Sequence, residues 1–217
     1  MESFASLERF PFLRHTFITR IPRVDVDCER HDAIARLQPA YEAARTTLGL
    51  DHHQWAFCEQ IHGSQVTVLE NPPPPDAPPT PGSDALITAL PGVILGIYVA
   101  DCCAIYFADP TRRVIALAHS GRKGTDAQIA RITIETMCSR FGCCPADIVA
   151  QLSPCIRPPH YEVDFAADIR HQCAQAGVRN LHDCRVCTAS HPERYYSYRR
   201  EKGRTGRMLA LLALSLH

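Results

Sequence analysis

Residues 89–108 read ALPGVILGIYVADCCAIYFA, an apolar stretch about as long as the roughly 20 residues a membrane-spanning helix requires. Its interior argues otherwise. Pro91, Gly92, Gly96 and Asp101 interrupt a helix, while the Val, Ile and Tyr between them favour extended chain. The stretch therefore predicts two buried strands, 93–99 and 104–108, separated by a short irregular segment holding Asp101, Cys102 and Cys103. Asp109-Pro110 supplies a turn, and RVIALA at 113–118 predicts a third strand.

Further from this centre the pattern alternates. Thr125 or Asp126 can cap a helix running to Phe141, with Gly142 behind it, and Asp164 can cap another through Ile169 and Cys173 to Gly177. Ile34, Leu37, Tyr41, Ala44 and Leu48 form a helical stripe ending at Gly49 and interrupted at Pro39. Residues 65–69 and 84–88 are short strand candidates. Thr205 is expected to open a C-terminal helix packing Leu209, Leu212 and Leu216. Residues 71–82, NPPPPDAPPTPG, read as a stiff surface loop in polyproline conformation. Strands and helices mix and no linker divides them, so residues 1–217 read as one α/β (α+β) domain.

Lys plus Arg and Asp plus Glu number 23 each. That balance speaks against a broad electrostatic surface for nucleic acid or membrane and leaves room for a small basic pocket. The 11 cysteines are an odd number, and the first twelve residues hold no apolar core of signal-peptide length. The expected compartment is the cytoplasm, where thiols stay reduced and serve packing, metal binding or nucleophilic chemistry.

Three segments set reactive side chains beside strand ends: Gln60-Ile61-His62-Gly63-Ser64-Gln65-Val66, Ala100-Asp101-Cys102-Cys103, and Ala118-His119-Ser120-Gly121-Arg122-Lys123-Gly124-Thr125. If His62, Cys102 and His119 converge, two imidazoles and a thiolate suit Zn²⁺, with copper as the alternative, and leave a fourth position open. Taken singly, each is more commonly a buried core residue than a ligand. The same residues also suit a metal-free nucleophile, with Cys102 attacking and His119 as base in a hydrolase acting on a cell-wall precursor. A metal that only supports folding is a further reading. Cys184-Arg185-Val186-Cys187 has redox or zinc spacing but no second pair to complete a four-cysteine site.

These three segments, in this order, resemble the bacterial laccase-domain family, described as polyphenol oxidoreductases and as purine nucleoside phosphorylases. Further matches are Thr19-Arg20, Ser83-Asp84-Ala85-Leu86-Ile87-Thr88, Ser153-Pro154-Cys155-Ile156 with Tyr161-Glu162-Val163, Cys187-Thr188, Tyr196-Ser197-Tyr198-Arg199-Arg200 and Thr205-Gly206-Arg207-Met208. The resemblance covers nearly the whole chain. It implies a single domain of mixed sheets flanked by helices and a metal held by His62, Cys102 and His119, which are also the catalytic centre. It further implies phosphorolysis of adenosine, inosine and 5′-methylthioadenosine, with adenosine deamination beside it. Copper-dependent oxidation of phenols is the other activity attached to the family.

A nucleoside and phosphate are thus the expected small-molecule partners, with Arg20, Gln60, Asp84, Arg122, Lys123 and Arg199 as candidate contacts. The backbone N–H groups of Gly121 and Gly124, at a helix start, could join Arg122 and Lys123 in holding phosphate. The chain departs from the family at Ile21-Pro22-Arg23, where Gly-Gly is usual, and at Leu152-Ser153-Pro154 and Arg157. At Arg122-Lys123 the family has Trp-Arg, and losing the Trp removes an aromatic face on which a base could stack.

Overall fold

The computed structural model describes residues 1–216. The deciding stretch is two strands: β5 (Val93–Val99) and β6 (Cys103–Asp109), with β7 (Val114–Ser120) after the Asp109 turn. Asp109 makes that turn by accepting the backbone N–H groups of Thr111 and Arg112. β5 and β6, although nearly consecutive, enter different sheets. With β1 (Leu13–Ile18), β2 (Gln54–Phe57) and β10 (Met208–Leu214), β5 forms a four-stranded sheet in the order β1-β10-β5-β2. With β3 (Val66–Leu69), β4 (Ala85–Thr88), β8 (Val149–Leu152) and β9 (Asn180–Asp183), β6 and β7 form a six-stranded sheet in the order β3-β4-β7-β6-β8-β9. Both sheets mix parallel and antiparallel pairs.

Side-chain alternation along β6 builds the layers. Ala104, Tyr106 and Ala108 join Leu95, Ile97, Ala210 and Leu212 of the smaller sheet in one core. Cys103, Ile105 and Phe107 face the other way, into a second core with Ile129, Ile134 and Met137 of α4 (Ile129–Phe141) and Ile169 and Cys173 of α5 (Phe165–Gln175). A strand covered on both faces reads as a continuous apolar run, which explains its resemblance to a membrane segment. No helix among the described residues is long and apolar enough to cross a membrane.

Three expectations are corrected. The C-terminal helix is the strand β10, buried throughout at the centre of the smaller sheet. MLALLAL favours helix intrinsically, but an apolar run fits a helical stripe and a two-faced strand equally, and pairing with β1 and β5 decides. The helix expected from Thr125 to Phe141 is broken: α3 (Arg122–Asp126) ends before Gln128, whose φ of 65° reverses the chain ahead of α4. At the break the Thr125 carbonyl accepts the Gln128 N–H at 2.9 Å and, at 2.7 Å, a second bond from Nε2 of buried Gln172. Pro39, by contrast, does not interrupt α2 (Arg30–Thr47), which follows the single-turn α1 (Ala5–Glu8) in the chain. It lies on the exposed side with Ala35, whose carbonyl can be hydrated.

The proline-rich residues 71–82 hold no helix or strand. They lie within the crossover between β3 and β4, adjacent parallel strands that a tight hairpin cannot join.

Candidate active site

His119 is the sixth residue of β7 and pairs across the sheet with Ala104 of β6. That register brings the imidazole to the turn just before β6, where Cys102 stands. The turn bends sharply at Asp101, whose φ is 81°, a region Asp tolerates better than most residues. The buried Asp101 carboxylate accepts from Thr188 Oγ1 at 2.7 Å, Ser197 Oγ at 3.0 Å and the Arg199 backbone N–H at 2.7 Å. Its carbonyl takes the N–H of Ile156 at 2.8 Å. Asp101 is thus an anchor that presents Cys102, with its acceptors engaged.

His62 arrives from the loop between β2 and β3. Gln60 fastens that loop to β5, its amide donating to the Tyr98 carbonyl at 2.6 Å and accepting the Tyr98 N–H at 3.0 Å. The loop then closes on Asp84. The Oδ1 and Oδ2 of this fully buried carboxylate take the N–H groups of His62 and Gly63 at 2.9 and 2.7 Å. Oδ1 also lies 2.9 Å from Nδ1 of His119. A carboxylate only accepts, so Nδ1 carries the proton and Nε2 is free to ligate.

The potential ligand atoms of His62, Cys102 and His119 all lie within 4.8 Å of one another, and the two rings meet edge to face at 4.7 Å. A tetrahedral ion with bonds near 2.0–2.3 Å would draw such donors to roughly 3.5 Å, a small closure from this arrangement. Gly121 is part of the fit: a Cβ there would stand 2.7 Å from the Cys102 sulfur and 3.5 Å from the His62 ring. The residues suit a borderline-soft cation with one open position.

Electrostatics agree. Burial pushes the Cys102 thiol up, but the His119 and His62 imidazoles outweigh it and bring the pKa down to about 6. Burial works against charge on His119 too, yet the Cys102 sulfur and the Asp84 carboxylate raise it to about 9. Burial likewise opposes charge on Asp84, while His119 and the two N–H donors hold its pKa below the usual carboxylate value.

The centre opens into a cavity of about 880 Å³. Tyr98, Tyr161, Phe165 and Tyr198 contribute aromatic wall. Of the expected contact residues, Gln60, Arg122, Lys123 and Arg199 line this cavity. Arg122 and Arg199 share Glu162, Arg122 at 3.9 Å and Arg199 by a direct hydrogen bond. Asp84 and Arg20 do not line it. Asp84 is sealed behind His119, and Arg20 is held by Glu201 at 2.6 Å over the Tyr196 ring. Arg30 and Arg207, given no role by the sequence reading, do line it. Their signal was hidden: Arg207 stood at the start of the misread helix, and Arg30 in an unremarkable polar run.

All eleven cysteines are free, and Cys184 and Cys187 do not join a second metal-ligand group among the described residues.

Residues 19–168 and 163–215 match the family described as multi-copper polyphenol oxidoreductase laccase. A purine nucleoside phosphorylase of Deinococcus radiodurans is 35% identical, over 77% of this chain and 73% of that one. The purine nucleoside phosphorylase YlmD of Geobacillus stearothermophilus is 31% identical, over 73% and 72%. The crystal structure of that YlmD superposes with a TM-score of 0.81 at 25% identity, covering 95% of this chain and 93% of the other. A hypothetical protein YfiH of Bacillus licheniformis has the same fold, with a TM-score of 0.83 at 22% identity over 96% and 95%.

Proposed function

The chain belongs to the multi-copper polyphenol oxidoreductase laccase family, and from that premise we propose that it is a zinc-dependent purine nucleoside phosphorylase that also deaminates adenosine. The observation that carries this reading is the convergence of His62, Cys102 and His119 at the cavity that Tyr161, Phe165 and Tyr198 line. The relatives named purine nucleoside phosphorylase support purine nucleosides as the substrate class, within which adenosine, inosine and 5′-methylthioadenosine are the substrates proposed.

In phosphorolysis the glycosidic bond breaks as a phosphate oxygen bonds to the sugar carbon, and the purine leaves with a proton. His62, Cys102 and His119 would hold the metal, which when bound supplies a Lewis acid and an acidified water. The chain's own residues do the rest. Asp84 keeps the proton on Nδ1 of His119 and fixes the ring. The aromatic wall offers faces to a purine. Arg122, Lys123 and Arg199 bring positive charge toward an anionic co-substrate at the cavity.

The test is to incubate zinc-loaded protein with inosine or adenosine, with and without phosphate. Free base and ribose 1-phosphate appearing only with phosphate support the reading, and inosine formed from adenosine supports deamination. Phenol oxidation that rises with copper, with no base released, would overturn it in favour of a polyphenol oxidoreductase. The described residues form one such donor group, whereas multi-copper reduction of dioxygen draws on several ions, so phosphorolysis stands first.

A further inference from the structure

Six cationic side chains line the cavity, and they are not equivalent. Arg122 and Arg199 are exposed and share Glu162. Lys123 and Lys202 are exposed as well. Arg207 is different: it is 8% exposed, and no carboxylate pairs with it among the described residues. Its Nη1 donates to the carbonyls of Thr205 and Gly206 at 2.7 and 2.9 Å, which leaves Nε and Nη2 without a protein acceptor among the described residues. Tyr41 Oη donates to the Arg207 carbonyl at 2.8 Å, so the backbone that carries the guanidinium is itself held.

Arg30 lines the same cavity and likewise has no carboxylate partner among the described residues. It is the first residue of α2, the helix that supplies Tyr41. The nearest acid in sequence, Glu29, is taken by Arg204 at 3.7 Å. Arg30 is close enough for its charge to add to the effect of burial in lowering the Arg207 pKa, and the Cys102 sulfur is close enough to oppose that. A guanidinium does not lose its proton near neutrality, so burying it beside a second one is costly unless an anion completes the pair. The amino end of an 18-residue helix adds partial positive charge at the same place.

We propose that Arg207 and Arg30 form an anion subsite for a phosphate group, free or carried on a nucleotide, next to the His62–Cys102–His119 centre. This deepens the phosphorylase reading and rests on it for the identity of the reaction. It moves the phosphate from the Arg122–Lys123 turn, where Glu162 already answers the Arg122 charge, to the wall where the Tyr198 ring lies 5.9 Å from the Arg207 guanidinium but no carboxylate pairs with it among the described residues. Planar guanidinium groups match the oxygens of a tetrahedral dianion in pairs.

The experiment is calorimetric titration of the zinc-loaded full chain with inorganic phosphate and, separately, with adenosine 5′-monophosphate. Arg207→Lys, Arg207→Gln, Arg30→Gln and Arg122→Gln are titrated beside the parent. Arg30 makes no side-chain hydrogen bond that the fold depends on, so Arg30→Gln keeps the test valid if Arg207→Gln melts early. Phosphate binding weakened about tenfold to a hundredfold in Arg30→Gln and Arg207→Gln, with Arg207→Lys between them and the parent, supports the subsite. The same losses for the nucleotide, with free phosphate not bound by any protein, support it with a nucleotide-borne group as its occupant. Binding unchanged in both Arg30→Gln and Arg207→Gln, or lost only in Arg122→Gln, overturns it. Base release assayed in parallel separates the two claims: anion binding without cleavage keeps the subsite and removes phosphorolysis. Cleavage undiminished in the Arg207 variants keeps phosphorolysis and removes the subsite.

Discussion

Oδ1 of Asp84 lies 2.9 Å from Nδ1 of His119, and the same carboxylate takes the backbone N–H groups of His62 and Gly63. One buried side chain therefore sets two of the three candidate ligands, one through its ring and one through its main chain. Asp84→Asn should keep the shape but offer an amide where acceptors are needed. Zinc affinity, read by competition with a chromogenic chelator, should fall about 10- to 100-fold. Unchanged affinity would mean that the ligands find their places without it.

Gly121 has an ordinary backbone conformation, φ −96°, so only space forbids a side chain there. In Gly121→Ala the new methyl would meet the Cys102 sulfur at 2.7 Å and push it from the centre. Zinc stoichiometry by elemental analysis should drop, with a loss of about 1–3 kcal/mol in denaturant unfolding. Full zinc loading in this variant would show the sulfur is not needed where it stands.

The metal-free protein should hold Cys102 as a thiolate at neutral pH. Its alkylation by iodoacetamide, followed by peptide mass spectrometry, should rise through about pH 6 rather than near the ordinary value of 9.0, and saturating zinc should suppress it. The linked stability has a definite sign. The Cys102 contribution is complete above 9.0 and is gone once the pH falls below about 6. The His119 contribution is complete below 6.5 and is gone once the pH rises above about 9. An alkylation midpoint near 9 would contradict the imidazole contacts.

Asp101 stands beside Cys102, but its carboxylate serves Thr188, Ser197 and the Arg199 N–H. Asp101→Ala would leave these donors unpaired in a buried place, at about 2–4 kcal/mol, and the melting temperature and activity should fall together. A proton shuttle would behave differently: Asp101→Asn would abolish turnover at nearly unchanged thermal stability.

Much of the architecture was legible from local pattern. The strands around Cys102 and His119, and the helix capped by Asp164, announce themselves through apolar runs, β-branched residues and caps. Asp164 accepts the Ala167 N–H at 3.1 Å, as a cap should. Among the short strands β3 and β4 were legible, while β1, β2, β8 and β9 left little trace, since four to six residues give few periods to separate from loop. The misread C-terminal segment shows the other limit. Leu and Ala prefer helix locally, and only partners far away in sequence reverse that preference.

The candidate ligands are written in the primary structure, since His62, Cys102 and His119 each sit in a small-residue turn beside a strand candidate, and chemical type is a local property. Which charges are answered is set by how the chain packs in three dimensions. Asp84 proved to be a support behind His119 rather than a wall of the cavity, and Arg20 was drawn away by Glu201. Arg207, hidden at the head of an apolar run, became the buried cation beside the centre. Burial and pairing depend on what the rest of the chain brings within a few ångströms, and the contacts that settle them join residues such as Arg20 and Glu201, which lie at opposite ends of the sequence.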